Sequence, residues 1–145
     1  MRNDELITNW GLVIEGFFAT QKVLADDIES GSGLSVAWFA VLLRLVRTPG
    51  HRLPMTQLAH HVDFSSGGFT KLADRIQEAG YVERISCPDD RRVTWMGLTP
   101  AGEAVITAAM TRHVEHLRSV LVAPLGEGLV DELGQSMRIL RDTHT

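Results

Sequence analysis

The chain has 145 residues, 44% hydrophobic and 22% charged. That balance belongs to a folded chain, at roughly 100–200 residues per domain, and it excludes intrinsic disorder. The net charge of −4 argues, taken alone, against nucleic-acid binding, which usually goes with basicity.

The charge is unevenly spread. Residues 1–30 hold two basic and six acidic side chains, residues 31–103 hold eight and seven, and residues 104–145 hold four and five. The acid is therefore concentrated at the N-terminal end. No run of about 18 apolar residues is present, so no transmembrane helix and no membrane partner are expected. Residues 1–9 lack a secretory pattern, and a cytoplasmic location is expected. The single cysteine, Cys87, excludes an intrachain disulfide and a cysteine-built zinc site.

Residues 5–28 read as a helix. Leu6, Ile7, Trp10, Val13, Ile14, Phe17, Phe18 and Leu24 follow the helical spacing, and Val23 widens the face beyond what a small surface helix needs. Ser30-Gly31-Ser32-Gly33 is expected to break it. Residues 34–47 form a second helix, apolar nearly all round and therefore central. Thr48-Pro49-Gly50 ends it. Pro54 suits a first helical position. Met55, Leu58, Ala59 and Val62 then make one short apolar seam, and Phe69, Leu72, Ala73 and Ile76 make another. Residues 63–67 form the turn between them, with Ser65 or Ser66 as a cap, and Gly80 closes the second helix. This is a helix-turn-helix pattern.

Tyr81–Ser86 and Val93–Leu98 are rich in β-branched and aromatic residues and flank the charged tip Cys87-Pro88-Asp89-Asp90-Arg91-Arg92. They read as a β-hairpin. The fold class is thus mainly α with a small hairpin wing: a winged helix-turn-helix with helical flanks. Thr99 caps a helix that has Pro100 at its first position and Glu103 in its first turn. That helix runs about six turns to a break at Ala123-Pro124. A last helix carries Leu129, Leu133, Met137 and Leu140 on one stripe.

The buried seam of the Ser66–Ala79 helix turns Gly67, Gly68, Thr70, Lys71, Asp74, Arg75 and Gln77 outward. Small and hydroxylic residues at Ser65, Ser66, Gly67, Gly68 and Thr70 would let the helix sink into a major groove and meet base edges. Lys71 and Arg75 would reach phosphate or guanine. The same residues also read as a poor helix start with a solvated face. At the hairpin tip, Arg91 and Arg92 would project, Asp90 would orient one guanidinium bidentately, and the arginine would enter a narrow minor groove. A solvated charged turn is the alternative.

From Leu34 to Gly102 the chain resembles the DNA-binding lobe of the multiple-antibiotic-resistance regulator (MarR) family. The resemblance rests on Met55-Thr56-Gln57-Leu58-Ala59, Ser65, Thr70-Lys71-Leu72, Asp74-Arg75, Gly80-Tyr81-Val82-Glu83-Arg84, Asp90-Arg91-Arg92 and Leu98-Thr99-Pro100-Ala101-Gly102, in this order. It implies one MarR-like domain over 1–145, with a winged lobe at 34–99 and dimerisation helices at 5–28 and 100–142. It also implies a homodimer on palindromic double-stranded DNA, acting as a repressor. Lys71, Arg75 and Arg84 would meet phosphates, Ser66, Gly68 and Thr70 would touch bases, and Arg92 would enter the minor groove. The bases Lys71, Arg75, Arg84, Arg91 and Arg92 are expected on one side, with the acids elsewhere. Many relatives release DNA when a small aromatic or phenolic acid binds, for which Trp10, Phe17, Phe18, Trp38 and Arg44 are the candidate pocket. Aromatic residues at helical spacing are core more often than ligand pocket, so core packing is the stronger reading of those aromatics. Gly67 and Gly68 depart from the bulkier residues common at this helix start, and Gln57 stands where an acid is common. The N-terminal-helix cysteine of peroxide-sensing members is missing.

Cys87 at the wing's base reads as a packed residue or a redox switch. His60 and His61 diverge on a helix, whereas His113 and His116 are three apart but lack a nearby third ligand. No metal and no cofactor are therefore assigned. With no phosphate loop and no activated nucleophile, an enzyme is not expected. The alternative function is a winged-helix protein-interaction module without DNA binding.

Overall fold

The structure is a computed structural model that describes residues 1–62 and 66–145, and of Ser66 only the backbone. The turn expected over 63–67 therefore lies mostly outside the described residues. Close contacts divide the chain into two compact units, residues 25–111 and residues 1–24 with 112–145. The lobe expected over 34–99 falls within the first.

Helix α1 spans Asn3–Ser32 and begins with Asp4 and Glu5 in its first turn, where acids suit the helix dipole. It runs past the expected end at residue 28, and the break expected over Ser30-Gly31-Ser32-Gly33 comes only at the last of these residues. Ser32 Oγ donates to the Ile28 carbonyl at 2.6 Å, which keeps the last turn closed. The chain turns only at Gly33, whose φ of +71° suits glycine. Helix α2, Val36–Val46, starts at Ser35, whose Oγ accepts the Trp38 N–H at 3.2 Å. Its Phe39, Val41, Leu42 and Leu45 are buried, as expected of a central helix.

After a 3-10 turn at Pro49–His51, the strand β1 covers Arg52–Pro54. Pro54 therefore ends a strand and precedes helix α3, Met55–His61, rather than opening it. It is tolerated because β1 lies at a sheet edge, where a missing N–H costs no ladder bond. Helix α4 spans Ser66–Glu78. Its end is closed by Gly80, at φ +80°, whose N–H donates to the Gln77 carbonyl while Tyr81 N–H donates to that of Ile76. This is the Schellman arrangement.

Strands β2, Val82–Ser86, and β3, Thr94–Leu98, pair antiparallel from Val82↔Leu98 to Ser86↔Thr94. The hairpin is not alone: β1 pairs with the far edge of β3, Arg52↔Gly97 to Pro54↔Trp95, giving the order β1-β3-β2. Helix α5 spans Pro100–Leu117. Thr99 Oγ1 accepts the Gly102 N–H at 3.0 Å, and Thr99 Oγ1 donates to the Gly80 carbonyl at 2.6 Å. One hydroxyl thus caps α5 and ties it to the end of α4.

Beyond α5 the backbone passes through a π-helical stretch, Arg118–Val122, into α6, Ala123–His144. The expected break at Ala123-Pro124 does not occur there. Proline lacks an N–H and its ring crowds the carbonyl one turn back; widening the ladder by one residue accommodates it. The kink comes at Gly126, φ +79° and ψ 157°.

The core lies in the 25–111 unit. Val41, Leu42 and Leu45 meet Leu58 of α3, Phe69, Ala73 and Ile76 of α4, Val82 and Met96 of the sheet, and Ile106 of α5. Burying each large side chain contributes about 1.5–3 kcal/mol. The other unit is built differently. Leu6, Ile7, Trp10, Phe17 and Phe18 on α1 are exposed, as are Leu125, Leu129, Leu133, Ile139 and Leu140 on α6. Among the described residues no single helix is long and apolar enough to cross a membrane.

Candidate nucleic-acid interface

The seam of α4 anchors it on the core through buried Phe69, Ala73 and Ile76, with Leu72 packed at their edge. Its opposite face carries Gly67, Thr70, Lys71, Asp74, Arg75 and Gln77, all exposed, while Gly68 is half-buried. Ser66 opens the helix, and Ser65 lies outside the described residues. Gly67 is open on its outer side, for a Cβ there would meet nothing within 4 Å. Lys71 and Arg75, one turn apart, make no ion pair among the described residues.

Arg84 on β2 behaves differently. Its Nη2 donates to Asp74 Oδ1 at 2.6 Å and its Nη1 donates to Gln77 Oε1 at 2.6 Å. The guanidinium is committed to the flank of α4. At the wing tip, Asp90 Oδ1 accepts both the Arg92 backbone N–H, at 3.0 Å, and Arg92 Nε, at 3.2 Å; Oδ2 accepts from Nη2 at 3.5 Å. The Arg92 N–H, and then its guanidinium, hold the Asp90 carboxyl below its ordinary value. The side chain of Arg92 is 91% exposed, so the pair aims the guanidinium outward without covering it. Arg91 beside it is exposed.

These contacts correct the expectation that the acids stand apart from the bases. Asp74 and Asp90 sit among them and pair with Arg84 and Arg92. Sequence reasoning named Asp90 as a partner. It missed the coupling of Asp74 and Gln77 to Arg84, whose only signal was two polar residues three apart on the helix before the strand. It also missed Arg52, whose guanidinium lies 5.7 Å over the Trp95 ring beside the wing.

The candidate pocket residues are dispersed by element. Trp10, Phe17 and Phe18 are exposed on α1, with the two phenylalanine rings edge-on at 5.6 Å. Trp38 is half-buried, edge-on to Tyr81 at 6.2 Å. Arg44 is exposed on α2. Burial, then the charges of Arg44 and His60, push the His61 imidazole below its ordinary value. Cys87 is half-buried at the end of β2. Among the described residues no three His, Cys, Asp or Glu side chains are grouped to hold a metal ion.

Comparison with known proteins agrees with this geometry. The model of the MarR family matches residues 32–93. The HTH-type transcriptional repressor YetL of Bacillus subtilis (strain 168) is 29% identical over 63% of this chain and 55% of its own length. The HTH-type transcriptional regulator PecS of Dickeya dadantii (strain 3937) is 29% identical over 70% of this chain and 61% of its own length. The matches thus span little more than half of these relatives. The crystal structure of Sco3205, a MarR family transcriptional regulator from Streptomyces coelicolor in complex with DNA, superposes with a TM-score of 0.86 at 25% identity, covering 100% of this chain and 91% of that one. The winged lobe built on α3, α4 and the three-stranded sheet is thus similar to the MarR family over residues 32–93, and the whole chain shares the fold of the crystallised regulator.

Proposed function

We propose that this chain is a DNA-binding transcriptional regulator that acts as a homodimer on a two-fold symmetric operator. The observation that carries the reading is the pairing of two surfaces: exposed Lys71 and Arg75 on α4, and an exposed Arg92 held by Asp90 at the wing tip. Such a helix suits a major groove and such a tip suits the adjacent minor groove. The crystallised relative Sco3205, bound to DNA, supports the assignment.

The apolar faces of α1 and α6 support the homodimer. Trp10 at 57%, Phe18 at 66% and Ile139 at 67% exposure form faces that a water-soluble single chain would not leave bare. A second copy offers the same faces, as two-fold pairing requires. Two recognition helices would then stand about 34–36 Å apart, one turn of DNA. Repression is the sign we assign, in keeping with YetL, named a repressor. Release by a small aromatic acid is the regulation we assign.

The test is selection of bound duplexes from a random pool with the purified full chain, followed by footprinting at the promoter nearest its gene. A palindrome with half-sites one helical turn apart is expected. A pool that stays random after selection would contradict the proposal.

A further inference from the structure

We propose that Arg84 is a positioning residue: through Asp74 and Gln77 it fixes the rotation of α4 relative to the wing, and so the specificity of base readout, rather than donating to phosphate. The inference rests on the DNA-binding reading above.

Three observations carry it. First, the guanidinium is split between two α4 side chains three residues apart, each held at 2.6 Å. A planar fork with fixed donors transmits orientation, which a flexible ammonium does not. Second, Asp74 neutralises the charge with which Arg84 would attract a phosphate. Third, α4 has a separate anchor at its C-terminal end, where Thr99 Oγ1 donates to the Gly80 carbonyl and the Tyr81 N–H donates to that of Ile76. The buried seam of Phe69, Ala73 and Ile76 holds α4 on the core and this anchor fixes its end. The contact on the flank, one to two turns further back, sets the small rotation about its axis that apolar packing leaves open. The side chains of Arg84 and Asp74 are 31% and 54% exposed, so the pair contributes little to stability and its role lies elsewhere.

The two roles of Arg84 predict opposite signs for one substitution. Asp74→Asn removes the carboxylate charge and loosens the tie, leaving Arg84 with neutral partners only. As a positioning loss, it lowers affinity for the selected operator by about tenfold, a typical cost of one misread base pair. Affinity for a random duplex of equal length stays level or rises, because a negative charge has gone. Arg84→Gln lowers operator affinity similarly and leaves the salt slope on random duplex at the wild-type value. Melting temperature and dimer mass stay at wild-type values in both variants, which separates positioning from unfolding.

An Asp74→Asn variant that binds operator and random duplex more tightly would overturn the proposal. So would a salt slope in Arg84→Gln shallower by about 0.9, the loss of one phosphate contact. Wild-type binding that is specific, with unchanged specificity in both variants, would overturn this inference alone. Absence of any duplex binding by the wild type would overturn the DNA-binding reading and this inference with it.

Discussion

Replacing Gly102 with alanine pushes a methyl group into a junction that has no room for it. Gly102 is buried in the first turn of α5. A Cβ there would overlap the Tyr81 carbonyl oxygen and stand 2.9 Å from Tyr81 C and from Leu98 Cδ1. Leu98 can rotate, but the Tyr81 carbonyl is backbone and accepts the Thr99 N–H at 3.1 Å. In an unconstrained helix the substitution would stabilise by about 0.5–1 kcal/mol. Here overpacking costs about 1–3 kcal/mol, and disturbing the Thr99 bond costs about 1 kcal/mol more. The net expectation is a loss of about 2 kcal/mol, or roughly 4–8 °C in Tm for a chain of this size. Gly67→Ala is the control: its Cβ meets open space, so Tm should hold or rise. Thermal unfolding followed by circular dichroism reads both. A Gly102→Ala protein that melts at or above the wild-type temperature would refute the packing argument.

His61 is held below its ordinary value by burial and by Arg44 and His60, so the folded state favours neutral imidazole and the unfolded chain binds the proton first. Its contribution is present above the ordinary value near 6.5 and is lost as pH falls through the folded value; urea unfolding at pH 7.5 and pH 5 should show a smaller acid loss in His61→Asn than in wild type. The Asp90 carboxyl should titrate by NMR below an ordinary aspartate, and Arg92→Ala, which keeps the backbone N–H but removes the guanidinium, should bring it part of the way back up. Phe18→Glu or Leu129→Glu should shift sedimentation equilibrium from dimer toward monomer mass, and an unchanged dimer would remove that face from the interface.

The elements that read clearly from sequence are those whose signals are local. The seam Phe69, Leu72, Ala73 and Ile76 repeats within α4, Gly80 lies two residues past the end of the helix it closes, and Thr99-Pro100 states a helix start in two residues. Asp90 and Arg92, two apart in a turn, could also be paired on paper. What failed depends on distant partners or on competition between local signals. Strand β1 has three residues, too few for a period, and exists because Trp95–Gly97 pairs with it across some forty residues. The Arg84 tie joins residues seven and ten apart on different elements. The break expected over Ser30–Gly33 comes only at Gly33, because a hydroxyl-to-carbonyl bond carries the helix through Ser32. At Pro124 a π turn absorbs the ring and moves the kink to Gly126.

In the proposed function a chain of net charge −4 binds DNA through a few placed basic side chains, chiefly Lys71, Arg75 and Arg92. Equilibrium binding of the full chain to its selected palindrome, titrated from low to moderate salt, tests this most directly. Affinity should fall linearly on a log–log plot, with a slope of about −0.9 for each phosphate neutralised, and Arg92→Ala should bind more weakly. Binding that is absent, or level across that salt range, would contradict it.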